Sequence, residues 1–340
     1  MRKKIVLVTG ANGEMGHGLI EQIAKNGVNN ILAVDIQPLD DLIRPFCQVA
    51  ITGDVLDTVL FDRLVSEFEI TTIFHLAAVL STRAEFTPEA AHRVNVQGTI
   101  NLLRLAIEQS RWQGSSVKFL FPSSIAAYGL PDLKTKKRAG KVKEHEWNQP
   151  TTMYGCNKLY CEQLGRYYNL HYRQLAADPE PHGVDFRSIR FPGLISAVTI
   201  PSGGTSDFAP EMLHHAAQDL PYACFVREDT RIPFMAMPDA IKALLKLAET
   251  PREKLTKLAY NIAAFNPSAG ETYDIIKNTF PNSKITFKPD LKRQKIVDSW
   301  PEDVNDTAAR TDWNWQPDFD LDRAFADYLI PTIYKRYNKK

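Results

Sequence analysis

Ile5-Val6-Leu7-Val8-Thr9-Gly10-Ala11-Asn12-Gly13-Glu14-Met15-Gly16 decides the fold. Residues 4–9 form a continuous apolar run rich in β-branched side chains, as in a parallel strand covered on both faces. The run empties into glycines at positions 10, 13 and 16, and helical periodicity follows through Leu19, Ile20 and Ile23. Strand, glycine turn and helix in that order describe a phosphate cradle. The glycines let the backbone approach a pyrophosphate, while the helix N-terminus offers free N–H groups and the positive end of its dipole. Gly10, Asn12, Gly13, Met15 and Gly16 are therefore candidate contacts to a dinucleotide. An ordinary glycine-rich βα turn is the plainer alternative, and the flanking strand and helix count against it.

Outward from that turn, strands and helices alternate. Ile31-Leu32-Ala33-Val34 ends in Asp35, 19 residues after Gly16. A carboxylate about 20 residues beyond such a turn bonds the adenosine ribose hydroxyls and repels a 2′-phosphate. Ile36 and Gln37 supply no cation in its place, so NAD is expected over NADP. Val49–Thr52 reads as a third strand, followed by Gly53-Asp54-Val55. Asp54 could bond the adenine amino group or cap the next helix, read as 57–68. A fourth strand, 72–76, ends in Leu76-Ala77-Ala78, small residues where a cofactor would cross the strand ends. His75 reads as a buried strand histidine. Pro88 to Gln109 reads as one long helix with Asn95 interrupting its apolar stripe, where it would bond backbone or a structural water. A fifth strand, 117–121, leads into Pro122-Ser123-Ser124, and a sixth spans 185–190. Six alternations imply an α/β fold, a doubly wound parallel sheet with helices on both faces.

Thr151-Thr152-Met153-Tyr154-Gly155-Cys156-Asn157-Lys158 carries the chemistry. On a helix, Tyr154 and Lys158 share one face. A phenol has an ordinary pKa of about 10, and a nearby cation favours its ionised form. Such a pair can take a proton from a hydroxyl. A chance Tyr and Lys on a surface helix is the plainer reading. Against it, each singled-out residue falls at or just past a strand C-terminus, and those ends converge on one crevice.

The remaining composition mostly excludes. A chain of 340 residues with 44% hydrophobic and 24% charged residues fits a globular protein of one large domain and a smaller one. A net charge of +1 argues against a nucleic-acid or acidic-membrane partner. No apolar run approaches the roughly 20 residues that span a bilayer, and the N-terminal run is too short for a signal peptide. Cys47, Cys156, Cys161 and Cys224 lack paired spacing, so no metal site is expected and a cytoplasmic setting is. Six cations between Leu133 and Lys143 read as a solvated mobile loop. A break at 178–183 precedes the sixth strand, and after Arg190 the chain turns loop-rich, with small residues at 201–207.

Together Gly10-x-x-Gly13-x-x-Gly16, Asp35, Leu76-Ala77-Ala78, Ser124 and Tyr154-x-x-x-Lys158 resemble the extended short-chain dehydrogenase/reductase superfamily along essentially the whole chain. Pro150–Gly155, Arg190–Ser196, Gly203–Ala209, Asp229–Met235 and Asp298–Pro301 look most like its short-chain threonine dehydrogenase group. The resemblance implies a Rossmann domain over residues 1–190, rejoined by segments near 230–262, and a smaller interwoven substrate-binding cap, mainly 191–340. It implies oxidation of a small substrate, L-threonine, at its β-hydroxyl with NAD. Tyr154 would be the base, Ser124 would orient the hydroxyl, and Lys158 would hold the nicotinamide ribose and lower the Tyr154 pKa. Ser81 and Thr205 would hold the amino-acid end, Val55, Asn95 and Ile195 would join the cofactor contacts, and a homodimer would form through the helix after Pro88 and the helix of Tyr154. Two departures stand out: Gln149 where the family usually has Arg, and a longer, more basic 130–146. A nucleotide-sugar epimerase or dehydratase, or an NAD-sensing protein without turnover, are the alternatives. Pro192-Gly193 counts against the first and the retained Tyr154 and Lys158 against the second.

Overall fold

The computed structural model describes residues 2–178, 182–201 and 203–337. Seven parallel strands form the central sheet, in the order Ala259–Asn261, Val184–Phe191, Val117–Ser124, Phe68–His75, Lys3–Thr9, Ile31–Asp35, Val49–Thr52. The strand order reverses at Lys3–Thr9, whose neighbours are the second and fourth strands. A crevice opens there, outside the strand carboxyl ends.

Side-chain alternation sends the strands' apolar residues to two faces. Ile5, Leu7, Phe119 and Phe121 pack on one face with Leu102 and Leu103 of helix Gly98–Gln113. Val8, Phe74, Leu120 and Ile189 pack on the other with Leu19 and Ile20 of helix Glu14–Lys25 and Leu244 of helix Met237–Glu249. That last helix and strand Ala259–Asn261 bring a late part of the chain back to the sheet. A third core, with Phe208, Met212, Phe234, Trp300 and Phe325, fills the C-terminal half and takes in Ile125, Tyr128 and Leu130 from beyond the fifth strand.

Three sequence expectations change. The helix read over 88–109 is three segments, Pro88–His92, a wide turn at Arg93–Gln97, and Gly98–Gln113. Gly114, at φ 65°, stops the last one. The Tyr154 helix, whose sequence reads as helical to about Leu175, ends at Leu170. The basic stretch is not a solvated loop. Asp132 caps a helix over Leu133–Ala139, and strand Lys141–Val142 pairs with Asp303–Val304. Lys136 is buried, its Nζ donating to the Val297 carbonyl at 3.1 Å. Pro179, Glu180 and Pro181 of the expected break, and Ser202 of the small-residue loop, lie outside the described residues.

Candidate active site

Helix Met153–Leu170 starts where two side chains take its free N–H groups. Thr152 Oγ1 accepts from Gly155 N at 3.1 Å, and Glu85 Oε1 accepts from Met153 N at 2.7 Å. The helix is pressed against the turn after the fifth strand. A Cβ on Gly155 would lie 2.0 Å from the Ala126 carbonyl oxygen, so only glycine permits this approach. The contact brings Tyr154 beside Ser124, whose hydroxyl favours the ionised phenol and accepts from Ala126 N at 3.1 Å. Lys158 lies on the same face. Its Nζ donates to the Pro122 carbonyl at 2.6 Å and sits 4.6 Å from the Phe121 ring and 5.5 Å from the Tyr154 ring.

The electrostatics differ from the sequence expectation. Burial pushes the Tyr154 phenol up to about 12, with the Ser124 hydrogen bond opposing. Burial draws Lys158 down to about 8, opposed by its neighbours Cys161 and Glu162. Desolvation dominates at both groups, and neither shift draws on the other group, the ammonium being turned onto a backbone carbonyl. His75 is buried as expected, between the Thr9 hydroxyl at 2.8 Å and the Thr99 hydroxyl at 3.1 Å. Burial, and next Lys158, push it down to about 3.

The glycine turn lies along the same sheet edge. Gly10 has φ +69°, and a Cβ there would meet Ala77 N at 2.5 Å. On Gly16 it would meet the Ala11 carbonyl oxygen at 2.3 Å. Gly13 precedes helix Glu14–Lys25 without any side-chain cap, so the helix N–H groups stay open to an anion. Asp35 accepts from Asn12 N at 2.9 Å and Gln37 N at 3.0 Å, and each oxygen keeps a lone pair for a further donor. This open cradle and carboxylate fit a dinucleotide.

The other candidates divide. The Asn12 side chain is engaged with residues 38 and 40, so only its backbone serves the turn. Asp54 accepts from Leu56 N at 2.9 Å and shapes its own loop, while Asp57 caps the next helix. Val55 packs on Gly98. Met15 and Leu76 flank the core beneath the turn, Leu76 N donating to Thr9 O at 3.0 Å, and Ala78 follows Ala77 out of the strand. Asn95 holds both backbone groups of Val79, at 2.7 and 3.1 Å, and so fixes the way into Ser81. The Ser81 hydroxyl accepts from Thr205 N at 3.2 Å and Thr205 Oγ1 at 3.1 Å, a link between the two halves. Ile195 lies in the C-terminal core, on a strand paired with Phe234–Ala236.

Sequence reading gave no role to Glu85, Glu162 or Arg190. Glu162, four residues beyond Lys158, was open to the same helical spacing; the others carry no local signal.

Residues 6–263 match the NAD dependent epimerase/dehydratase family. The chain belongs to that family. The mitochondrial L-threonine 3-dehydrogenase of Bos taurus is 34% identical over 327 residues, 93% of this chain and 79% of that protein. An uncharacterized epimerase/dehydratase of Staphylococcus saprophyticus is 35% identical over 94% of this chain and 93% of its own. Solved structures of L-threonine dehydrogenase from Phytophthora infestans and Clostridium difficile superpose with TM-scores of 0.84 and 0.85, at 34% and 33% identity. They cover 97% and 99% of this chain and 99% of each of those chains. A UDP-glucose 4-epimerase from Thermotoga maritima, 19% identical with a TM-score of 0.78, shares the fold. This member of the family is an NAD-dependent oxidoreductase. Among the described residues, no helix is long and apolar enough to cross a membrane, and no His, Cys, Asp and Glu cluster is placed to hold a metal ion.

Proposed function

We propose that the chain oxidises L-threonine at its β-hydroxyl, giving L-2-amino-3-oxobutanoate, NADH and a proton. The observation carrying this reading is Tyr154 placed between Ser124 and Lys158 in a chain about one-third identical to threonine dehydrogenases. NAD, cradled at Gly10, Gly13 and Gly16 with its ribose on Asp35, supplies the hydride acceptor. Ser124 holds the substrate hydroxyl against Tyr154, which removes its proton. Lys158 stabilises the phenolate so formed and bonds the second ribose. Ser81 and Thr205, short and polar, suit the ammonium and carboxylate of a small zwitterion. Residues 1–190 form the cofactor half and 191–340 mainly the substrate half.

The pH dependence follows from the two shifts. Below about 8, Lys158 stays charged while each rise in pH adds phenolate at Tyr154. Above about 8, Lys158 loses its proton as fast as Tyr154 gains ionisation. kcat/KM should therefore climb to about pH 8 and level off.

Mixing the purified chain with NAD and L-threonine and following NADH absorbance tests the assignment. Saturable NADH formation is expected. Interconversion of UDP-sugars with no response to threonine would replace this reading with an epimerase. Tyr160, Tyr167 and Leu170, exposed on the Tyr154 helix, support a homodimer; light scattering at the monomer mass would remove it. The four cysteines are free thiols, which supports the cytoplasm.

A further inference from the structure

Tyr154, Lys158 and Glu162 follow one another at four-residue intervals along one helix face. Three consecutive strand residues meet them. The Pro122 carbonyl accepts from Lys158, the Ser123 hydroxyl donates to Glu162 Oε1 at 2.5 Å, and Ser124 stands beside Tyr154 and favours its ionised form. Glu162 is buried and held from the next strand as well. Arg190, the register partner of Ser123, donates from Nε to Oε1 at 2.9 Å and from Nη2 to Oε2 at 2.6 Å. Its Nη1 reaches the Glu144 carbonyl at 3.0 Å and Asn148 Oδ1 at 2.8 Å, where the basic segment turns toward the catalytic helix. The guanidinium lies 4.7 Å from the Tyr128 ring.

We propose that Glu162 is a positioning residue, clamped by Ser123 and Arg190, that locks the catalytic helix onto residues 122–124 and gives Lys158 its counter-charge. The proposal rests on the roles assigned to Tyr154 and Lys158 above. The groups around Lys158 leave little else for that task. Tyr154 and Cys161 on its own helix are protonated at neutral pH, since burial raises both. His75, from the fourth strand, is neutral. Arg190 is a cation, held by Glu162 itself. With Cys161 protonated, Glu162 is the carboxylate among the described residues that favours the charged form of Lys158. A shape-only role for Glu162 would leave the titration of Lys158 where it is.

Glu162→Gln keeps the side chain's shape and removes its charge. Three measurements are needed: kcat/KM for L-threonine against pH, NADH binding by fluorescence, and folding by circular dichroism. The break expected near pH 8 should move down by about one pH unit, with a lower plateau and NADH binding unchanged. Ser123→Ala, which keeps the ion pair, should move it in the same direction by less. An even loss of rate at all pH values, with the break unmoved in both variants, would overturn the proposal. If Glu162→Gln does not fold, Ser123→Ala decides alone: a downward shift supports the proposal and an unmoved break overturns it. Absence of threonine-dependent NADH in the parent chain would instead count against the proposed function.

Discussion

The strand edge and the C-terminal half meet at Ser81 and Thr205 but are built by different means. At the strand edge, backbone contacts set the geometry. Gly155 lies on Ala126, Gly10 lies on Ala77, and Lys158 bonds the Pro122 carbonyl. In the C-terminal half, side chains far apart in sequence do the placing. Thr205 is held by Ser81, and Val297 is reached by the Lys136 side chain from some 160 residues earlier. A site fixed by backbone is suited to chemistry that tolerates little displacement. A site fixed by side-chain hydroxyls is suited to choosing a substrate, and can be changed with little harm to the fold.

Substitutions on the two sides should therefore fail differently. The largest effect belongs to the strand edge. Tyr154→Phe removes the base, so kcat should fall roughly 100- to 10,000-fold while NADH still binds, as steady-state kinetics and fluorescence would show. A kcat within a factor of two of the parent would put the base elsewhere. Next comes the cap. Thr205→Val removes one hydroxyl acceptor from the proposed hold on the substrate ammonium, worth about 1.5–3 kcal/mol, so KM for threonine should rise roughly 10- to 100-fold with kcat mostly kept. A fall in kcat with KM unmoved would erase the contrast.

The smallest effect is on stability. Burial draws Lys136 down to about 8, opposed by Asp298 and Glu302. Between about 8 and its ordinary 10.5, the unfolded chain binds a proton at this lysine that the folded chain does not. Folding is therefore favoured as pH rises through that window, and the burden of the buried charge is complete below it. Lys136→Met should flatten this rise in urea midpoints between pH 8 and 10 relative to the parent, with kcat unchanged. Parallel curves for the two proteins would mean that Lys136 is not desolvated.

Legibility followed the same division. The glycine turn, Asp35, Ser124 and the Tyr154–Lys158 spacing are local patterns at strand ends, and the structure puts them along one edge. The phenol's environment was not local: its rise to about 12 comes from burial by segments on both sides of the chain. The basic stretch was misread because six cations masked a short signal, Asp132 three residues before Thr135, which caps the helix. Its partner strand lies some 160 residues later, out of reach of periodicity. Asp54 and the Asn12 amide show the converse, motif positions whose side chains serve their own loops.

One measurement reaches the central claim, that a hydroxyl at the strand edge loses its proton to Tyr154 as hydride leaves the same carbon. The parent enzyme would be given L-threonine deuterated at the β-carbon, and the reduced cofactor examined by mass spectrometry. The account predicts that the deuteron appears in the nicotinamide ring and that turnover slows relative to unlabelled threonine. Reduced cofactor without the label would contradict it.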